Sequence, residues 1–214
     1  MAKVTTWTKV AVKIQSAVGA AIAISAVTKA DPAVATVETG HGLAVNDYVR
    51  IESLGMNELN GRLVRISAVA GDDVTFEGED SASYGTFQSG NVFKVDLDTD
   101  LTTATSLNAS GGEPNFIDVT TIHDDQEKQI PGNPSAISYT FENLWDPTDA
   151  GTKALKKLSD TQQLAGMMFQ FRNGTRVVFT GYASAPGLPT GQAGDKVVSS
   201  ATITMFGNPT FYEN

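Results

Sequence analysis

The stretch DVTTIHDDQEKQIPGNPSAISYTFENLWDPTDAGTKALKKLSD, residues 118–160, decides how the rest of the chain is read. It divides into a polar charged loop, a strand and a capped helix. In the strand, 136–144, Ile137, Tyr139 and Phe141 alternate with Ser138, Thr140 and Glu142, the period of two expected of a sheet with one buried face. One face is therefore apolar and the other small, polar and acidic. The helix follows at once. Asp146 is placed to accept from the open amides of a first turn, Pro147 has the φ of a first helical residue, and Asp149 puts negative charge at the positive end of the dipole. Lys153, Lys156 and Lys157 lie toward the other end, and Ala150, Ala154, Leu155 and Leu158 make one apolar side that can rest on a sheet. No other segment reads as convincingly helical.

Outside this stretch the composition is that of a β protein. The 214 residues, 41% hydrophobic, suffice for one large β domain or two small ones, and 20 glycines among short Val, Ile, Thr and Phe runs favour strands. With no cysteine, disulfides and thiolate metal sites are excluded. Segment 10–27 is the most apolar, but Lys13, Gln15, Ser16, Gly19 and Ser25 break it up, and a bilayer span needs roughly 20 apolar residues. An export signal would also lack its clean apolar run, so the expectation is a soluble protein made in a cytoplasm. The 24 acidic and 15 basic residues give a net charge of −9. That balance opposes ordinary binding to the DNA backbone, which wants clustered cations, but suits a surface that DNA must slide past.

Residues 1–23 carry Lys3, Lys9 and Lys13 and no acid, with Trp7, Val10, Val12 and Ile14 suggesting a first strand. Two readings stand: an ordinary N-terminal strand, or an arm that contacts an acidic neighbour. From 24 to 95 the runs shorten, to 34–38, 48–52, 63–69, 73–77 and 91–95, and turns rich in Gly, Asn and Asp separate them. This is the cadence of a small barrel. The segment carries five basic and ten acidic residues. Residues 96–112 read as a loop or irregular strand. Beyond the helix, strands are expected at 166–172, 176–183 and 196–206, with Asn173-Gly174 as a hairpin signal between the first two.

Little in the chain suggests chemistry. His41 and His123 sit in separate polar turns, where a ring bonded to backbone is the simpler reading; an intermolecular contact is the other for His123. Asp124, Asp125 and Glu127 could approach a divalent cation, but calcium-loop spacing is absent and a solvated loop is the plainer reading. No nucleophile elbow, phosphate-cradling loop or paired-histidine zinc motif occurs. The acid pairs Asp72-Asp73 and Glu79-Asp80 lie in turn-like positions that favour Asp for local bonding. No catalytic residue, cofactor or metal is expected.

Two resemblances add to this. His41-Gly42-Leu43, Leu59-Asn60-Gly61 and Tyr84-Gly85 resemble the turns of a small β-barrel module found in phage structural proteins and similar to the FCCH region of ubiquitin-activating enzymes; this implies a fold and no chemistry. The second rests on Asp118–Thr121, the charged residues 124–128, Ile130-Pro131-Gly132, the aromatic strand 136–144 and the Asp146-Pro147 helix start. Together they resemble the major tail tube protein of long-tailed bacteriophages. That resemblance implies an all-β fold with one α-helix: a β-sandwich from 1–23 and 96–214, with 24–95 as an inserted barrel. It further implies six-copy rings stacking into a hollow virion tube, assembled in the bacterial host cytoplasm. Its partners would be other copies, a tape-measure protein, tail-tip and terminator proteins, and phage DNA passing without sequence-specific binding. The loop 118–135 would reach the next ring, with Asp124, Asp125, Glu127, Lys128 and Ile130 as contacts and Lys3, Lys9 or Lys13 as their targets. For Ser138, Thr140 and Glu142 two readings stand, the wall of the lumen or the solvent side of a sandwich. The alternative function is a monomeric adhesion module binding glycan or protein, and a terminator ring or contractile-tail tube is a further variant.

Overall fold

Alternation sets most strands of this chain, and glycine-rich turns set where they end. The structure, a computed structural model, describes residues 8–213. In chain order β1 is Ala11–Ile14, β2 Ala17–Val27, β3 Val34–Val37, β4 Tyr48–Leu54, β5 Leu63–Ala70, β6 Asp73–Phe76 and β7 Ser89–Asp96. They are followed by β8 Thr99–Asp100, β9 Ala104–Ser110, β10 Pro114–Asp118, β11 Gln129–Pro134 and β12 Ser138–Leu144. Helix α1 spans Ala150–Thr161, and β13 Leu164–Gln170, β14 Arg176–Ser184 and β15 Val198–Tyr212 complete the chain. The expected class holds: mostly strand, a single α-helix and a closed barrel.

The barrel closes in the order β2-β3-β6-β5-β4-β7 around Val49, Ile51, Met56, Leu59, Ile66, Val74 and Phe76, all fully buried. Its strands occupy 17–96, a wider span than the expected 24–95. The difference is β2, AVGAAIAISAV, whose alanines give no period of two; it is held by pairing with β7 on one side and β3 on the other. His41 braces a turn here: its Nδ1 accepts from Leu43 N at 3.0 Å, so its Nε2 donates to Gly71 O at 3.2 Å.

The remaining strands form a seven-stranded antiparallel sheet ordered β8-β1-β13-β14-β15-β12-β9. It curls, so that Val10 and Val12 near one edge share a small cleft with Ala104, Leu107 and Phe141 near the other. Inside the curl lie Phe141, Phe169, Phe179, Met167 and Ile203, with Leu155 and Leu158 of α1 packed among them. Each such fully buried large side chain is worth about 1.5–3 kcal/mol of transfer free energy. The helix begins later than expected. Asp149 is its N-cap, accepting from Thr152 N at 2.8 Å, whereas Asp146 closes the preceding turn through Thr148 N and Oγ1. Segment 96–112, read as a loop or irregular strand, supplies β8 and β9. The last strand runs on to Tyr212, because residues 207–209 bulge out of the β14 register and pairing resumes at Thr210.

Residues opposed across an antiparallel ladder share a face. Met168 faces Val178, Tyr182 faces Thr204, Ser138 faces Thr204 and Thr140 faces Thr202, so these side chains lie together on the outer face, away from the aromatic core. That face is used twice. At β13 and β14 the barrel seals it, Leu63 and Val95 packing on Met168, Val178 and Tyr212. At β12 and β9 it stays open.

The seam between barrel and sheet is specific as well as apolar. Gly61 has φ +76°, and a Cβ there would stand 2.2 Å from a Phe206 ring carbon, so only glycine permits the approach. Thr180 Oγ1 lies 2.5 Å from Gly61 O and 2.8 Å from Phe206 O; its one proton serves one carbonyl at a time. Arg62 pairs with the buried Glu79 at 2.6 Å and reaches Thr210 Oγ1 at 3.2 Å, while Tyr84 donates to the same Glu79 oxygen at 2.7 Å. Burial and Glu79 together push the Tyr84 phenol up to about 12. Arg65 forks onto Glu77, lies over the Tyr212 ring, and its backbone N–H donates to Tyr212 Oη at 2.6 Å.

Candidate functional site

The surfaces that could carry function are those the chain leaves unfinished. The first is a hairpin arm. Residues 118–135, expected as a loop, are largely its second half: β10 and β11 pair antiparallel, with Ile117 opposite Ile130 and Asp118 opposite Gln129. Phe116 and Ile117 just upstream are the strand signal that the charged tip masked. The arm buries almost nothing. Phe116, Ile117, Val119 and Ile130 are exposed, and Ile122 at the tip is 96% exposed.

Hydrogen bonds hold the tip in shape. Asp124 accepts from Thr121 N and Oγ1, both at 2.9 Å, and pairs with Lys128 four residues on. Lys128 first, then the Thr121 backbone, hold the Asp124 carboxyl below the ordinary carboxylate range. Asp118 accepts from Thr120 N at 2.8 Å and is lowered in the same way, chiefly by Thr120. Two of the expected contact residues, Asp124 and Lys128, are therefore engaged with each other, leaving Asp125, Glu127 and Ile130 exposed. Of the expected N-terminal targets, Lys3 lies outside the described residues, as does Trp7. Lys9 is exposed, and Lys13 pairs with Asp100 at 3.0 Å.

The second surface is the open outer face at β12. Ser138, Thr140 and Glu142 stand between Ser110, Asn108 and Ser106 of β9 and Thr204, Thr202 and Ser200 of β15. The result is a strip of hydroxyls and one amide. Hydroxyl pairs cross it at 3.4 Å, Thr140 to Thr202 and Ser138 to Thr204. Its one carboxylate is compensated: Lys196 lies 2.8 Å from Glu142, and that contact keeps the carboxyl below its ordinary value. Beside the strip, the outer edge of β9 has no partner strand among the described residues. Its sequence ATSLNAS carries none of the charges or prolines that guard edges against pairing.

The third surface is a cleft of about 340 Å³ beside α1, lined by Trp145, Pro147, Gly187 and the stems of Lys153, Lys156 and Lys157. Trp145 Nε1 donates to Gly187 O at 3.2 Å, which fixes the ring with its face partly open. Among the described residues no group of three or more His, Asp or Glu side chains could hold a metal ion, and no helix is long and apolar enough to cross a membrane.

An exposed apolar arm, an unguarded strand edge and a polar strip define a β-rich protein whose free surfaces suit assembly. Residues 54–214 match the family model of the phage tail tube protein, TTP, and the chain belongs to that family, whose members are structural components of the virion tail. No curated protein matches the chain.

Proposed function

We propose that this chain is the repeating subunit of the tail tube of a long-tailed phage, closing into rings of six that stack into a hollow conduit for DNA. The single observation that carries this reading, given the family, is the arm: a hairpin that buries almost nothing against the described residues of its own chain. A two-stranded hairpin is marginal in water by itself, so an ordered arm is expected to meet a neighbour. The open β9 edge suits lateral pairing with the next copy. Such a heterologous contact closes into a ring or propagates as a filament, and stacked rings do both.

In this arrangement Ser138, Thr140 and Glu142 face the lumen. Their strip neither attracts nor strongly repels DNA through charge, because its one carboxylate and Lys196 offset each other, and its hydroxyls and amide stay hydrated and release no phosphate counterions. The arm makes the contact between rings through Asp125, Glu127 and Ile130, and the N-terminal segment ahead of β2, including Lys3 and Lys9, takes part from the neighbouring copy. The barrel, similar to the FCCH-like module, is an insertion, 17–96 by its strands, that projects from the tube wall. A tape-measure protein, a tail tip and a terminator complete the assembly. Negative-stain microscopy of the purified chain tests the reading: hollow tubes or rings are expected, and single particles at every concentration would refute it. The adhesion alternative draws no support from the family.

A further inference from the structure

The arm and the cleft beside α1 are complementary in two independent respects. Over 113–134 the arm carries five acids and one lysine. With Asp124 committed to Lys128 and Asp118 to the Thr120 amide, Asp125 and Glu127 are free, exposed carboxylates flanking the tip. On the helix, Lys156 is committed to Asp160 at 2.8 Å. Lys153 and Lys157, one turn apart, have no carboxylate within ion-pair distance among the described residues and are exposed. The apolar parts match as well. Ile122 projects almost wholly into solvent, and the cleft offers the Trp145 ring, Pro147 and lysine stems, with exposed Leu188 following Gly187.

We propose that the tip of one copy's arm docks in the α1 cleft of a second copy, Ile122 against Trp145 and Pro147, with Asp125 and Glu127 meeting Lys153 and Lys157. The reading rests on the tube proposal and replaces its N-terminal lysines as the main target: Lys13 already holds Asp100, whereas Lys153 and Lys157 form no ion pair among the described residues. A single docked tip is a small contact. Rings that engage several at once gain avidity from it, and loss of the charge match then acts on every copy together.

The absence of cysteine in this chain allows a direct test. Gln126→Cys in the arm and Thr161→Cys at the cleft leave all four charges in place. The two single variants, one tagged so that mixed dimers run apart, are co-assembled and oxidised, with Lys29→Cys on the barrel replacing Thr161→Cys as control. A mixed disulfide with Thr161→Cys and none with Lys29→Cys is the expected result. Tubes that form without the Thr161→Cys disulfide would overturn the docking and leave the tube standing. Wild-type protein that forms neither rings nor tubes would overturn both. A charge exchange adds a second arm: Asp125→Lys with Glu127→Lys, or Lys153→Glu with Lys157→Glu, should each abolish tubes, and the four together in one chain should restore them. If the fourfold variant melts with the wild type and yet forms none, the docking is wrong.

Discussion

Segment 24–95 of the barrel and the hairpin arm, 113–134, between them hold the whole net charge of the chain, and the remainder balances to zero, yet the two are stabilised in opposite ways. The barrel has a core of its own and a sealed seam to the sheet, and two of its ion pairs, Arg62 with Glu79 and Arg65 with Glu77, are structural parts of that seam while most of its other acids stay exposed. The arm has hydrogen bonds and almost no burial. Burial fixes where an element sits, while hydrogen bonds alone fix only its local shape. The barrel is thus finished within the chain, and the arm needs a neighbour to complete it.

The largest effect should come from breaking the finished side. Arg62→Ala leaves Glu79, only 1% exposed, without its cation, and removes the bond to Thr210. Removing one partner of a buried pair costs about 3–5 kcal/mol. Urea denaturation should show the midpoint lowered in one transition, barrel and sheet unfolding together; an early transition confined to the barrel would show that the seam does not couple them. Thr180→Val should cost less, about 1–3 kcal/mol, because it removes the donor shared by Gly61 O and Phe206 O while keeping the shape. A stability within error of wild type would mean that the seam is held by apolar contact alone.

Asp125→Lys with Glu127→Lys sits at the other extreme. These side chains are exposed and have no hydrogen bond or ion pair among the described residues, so the monomer's stability should change by less than about 0.5 kcal/mol while sedimentation shows assembly lost. A variant that melted early would place the arm on the finished side of the comparison.

The same contrast explains what could be read in advance. The alternation around Phe141, the Asn173-Gly174 turn and the short barrel runs depend on local patterns, and strands formed there. β2 escaped because a run of alanine and glycine takes its conformation from β7 and β3, a tertiary effect. Asp146 and Asp149 both offer a capping carboxylate, and tertiary contacts that sequence does not show, Thr102 Oγ1 donating to Asp149 and Gly151 lying close against Leu101, accompany the start at Asp149. At the candidate surfaces, residue types gave the acidic tip and the polar strip. They could not reveal that Asp124 and Lys128 engage each other, that Glu142 is matched by Lys196, or that Trp145 and the α1 lysines share a cleft.

The smallest effect is a matter of order along a pH titration. Burial raises the Glu79 carboxyl above its ordinary value, against the pull of Tyr84 and Arg62, so the folded state holds that proton more tightly than the unfolded chain does. Its contribution to stability is therefore complete below the unfolded pKa and is lost as pH rises through the folded one. Asp124 has the opposite sign: Lys128 and Thr121 hold it low, so its contribution is present above the unfolded pKa and is lost as pH falls through the folded one. On acidification from about pH 6 to about pH 3, the range in which carboxylates titrate, Glu79 should take its proton first, easing a buried charge in the barrel. Asp124 should follow later and release the tip from Lys128. Carboxyl carbon shifts followed by NMR would show the order, with the Thr121 amide moving alongside Asp124 because it donates to that carboxylate. Were Asp124 to titrate with Glu79 or before it, the tip would not be braced from within, and Asp124 would be as free as Asp125 and Glu127 to meet another copy.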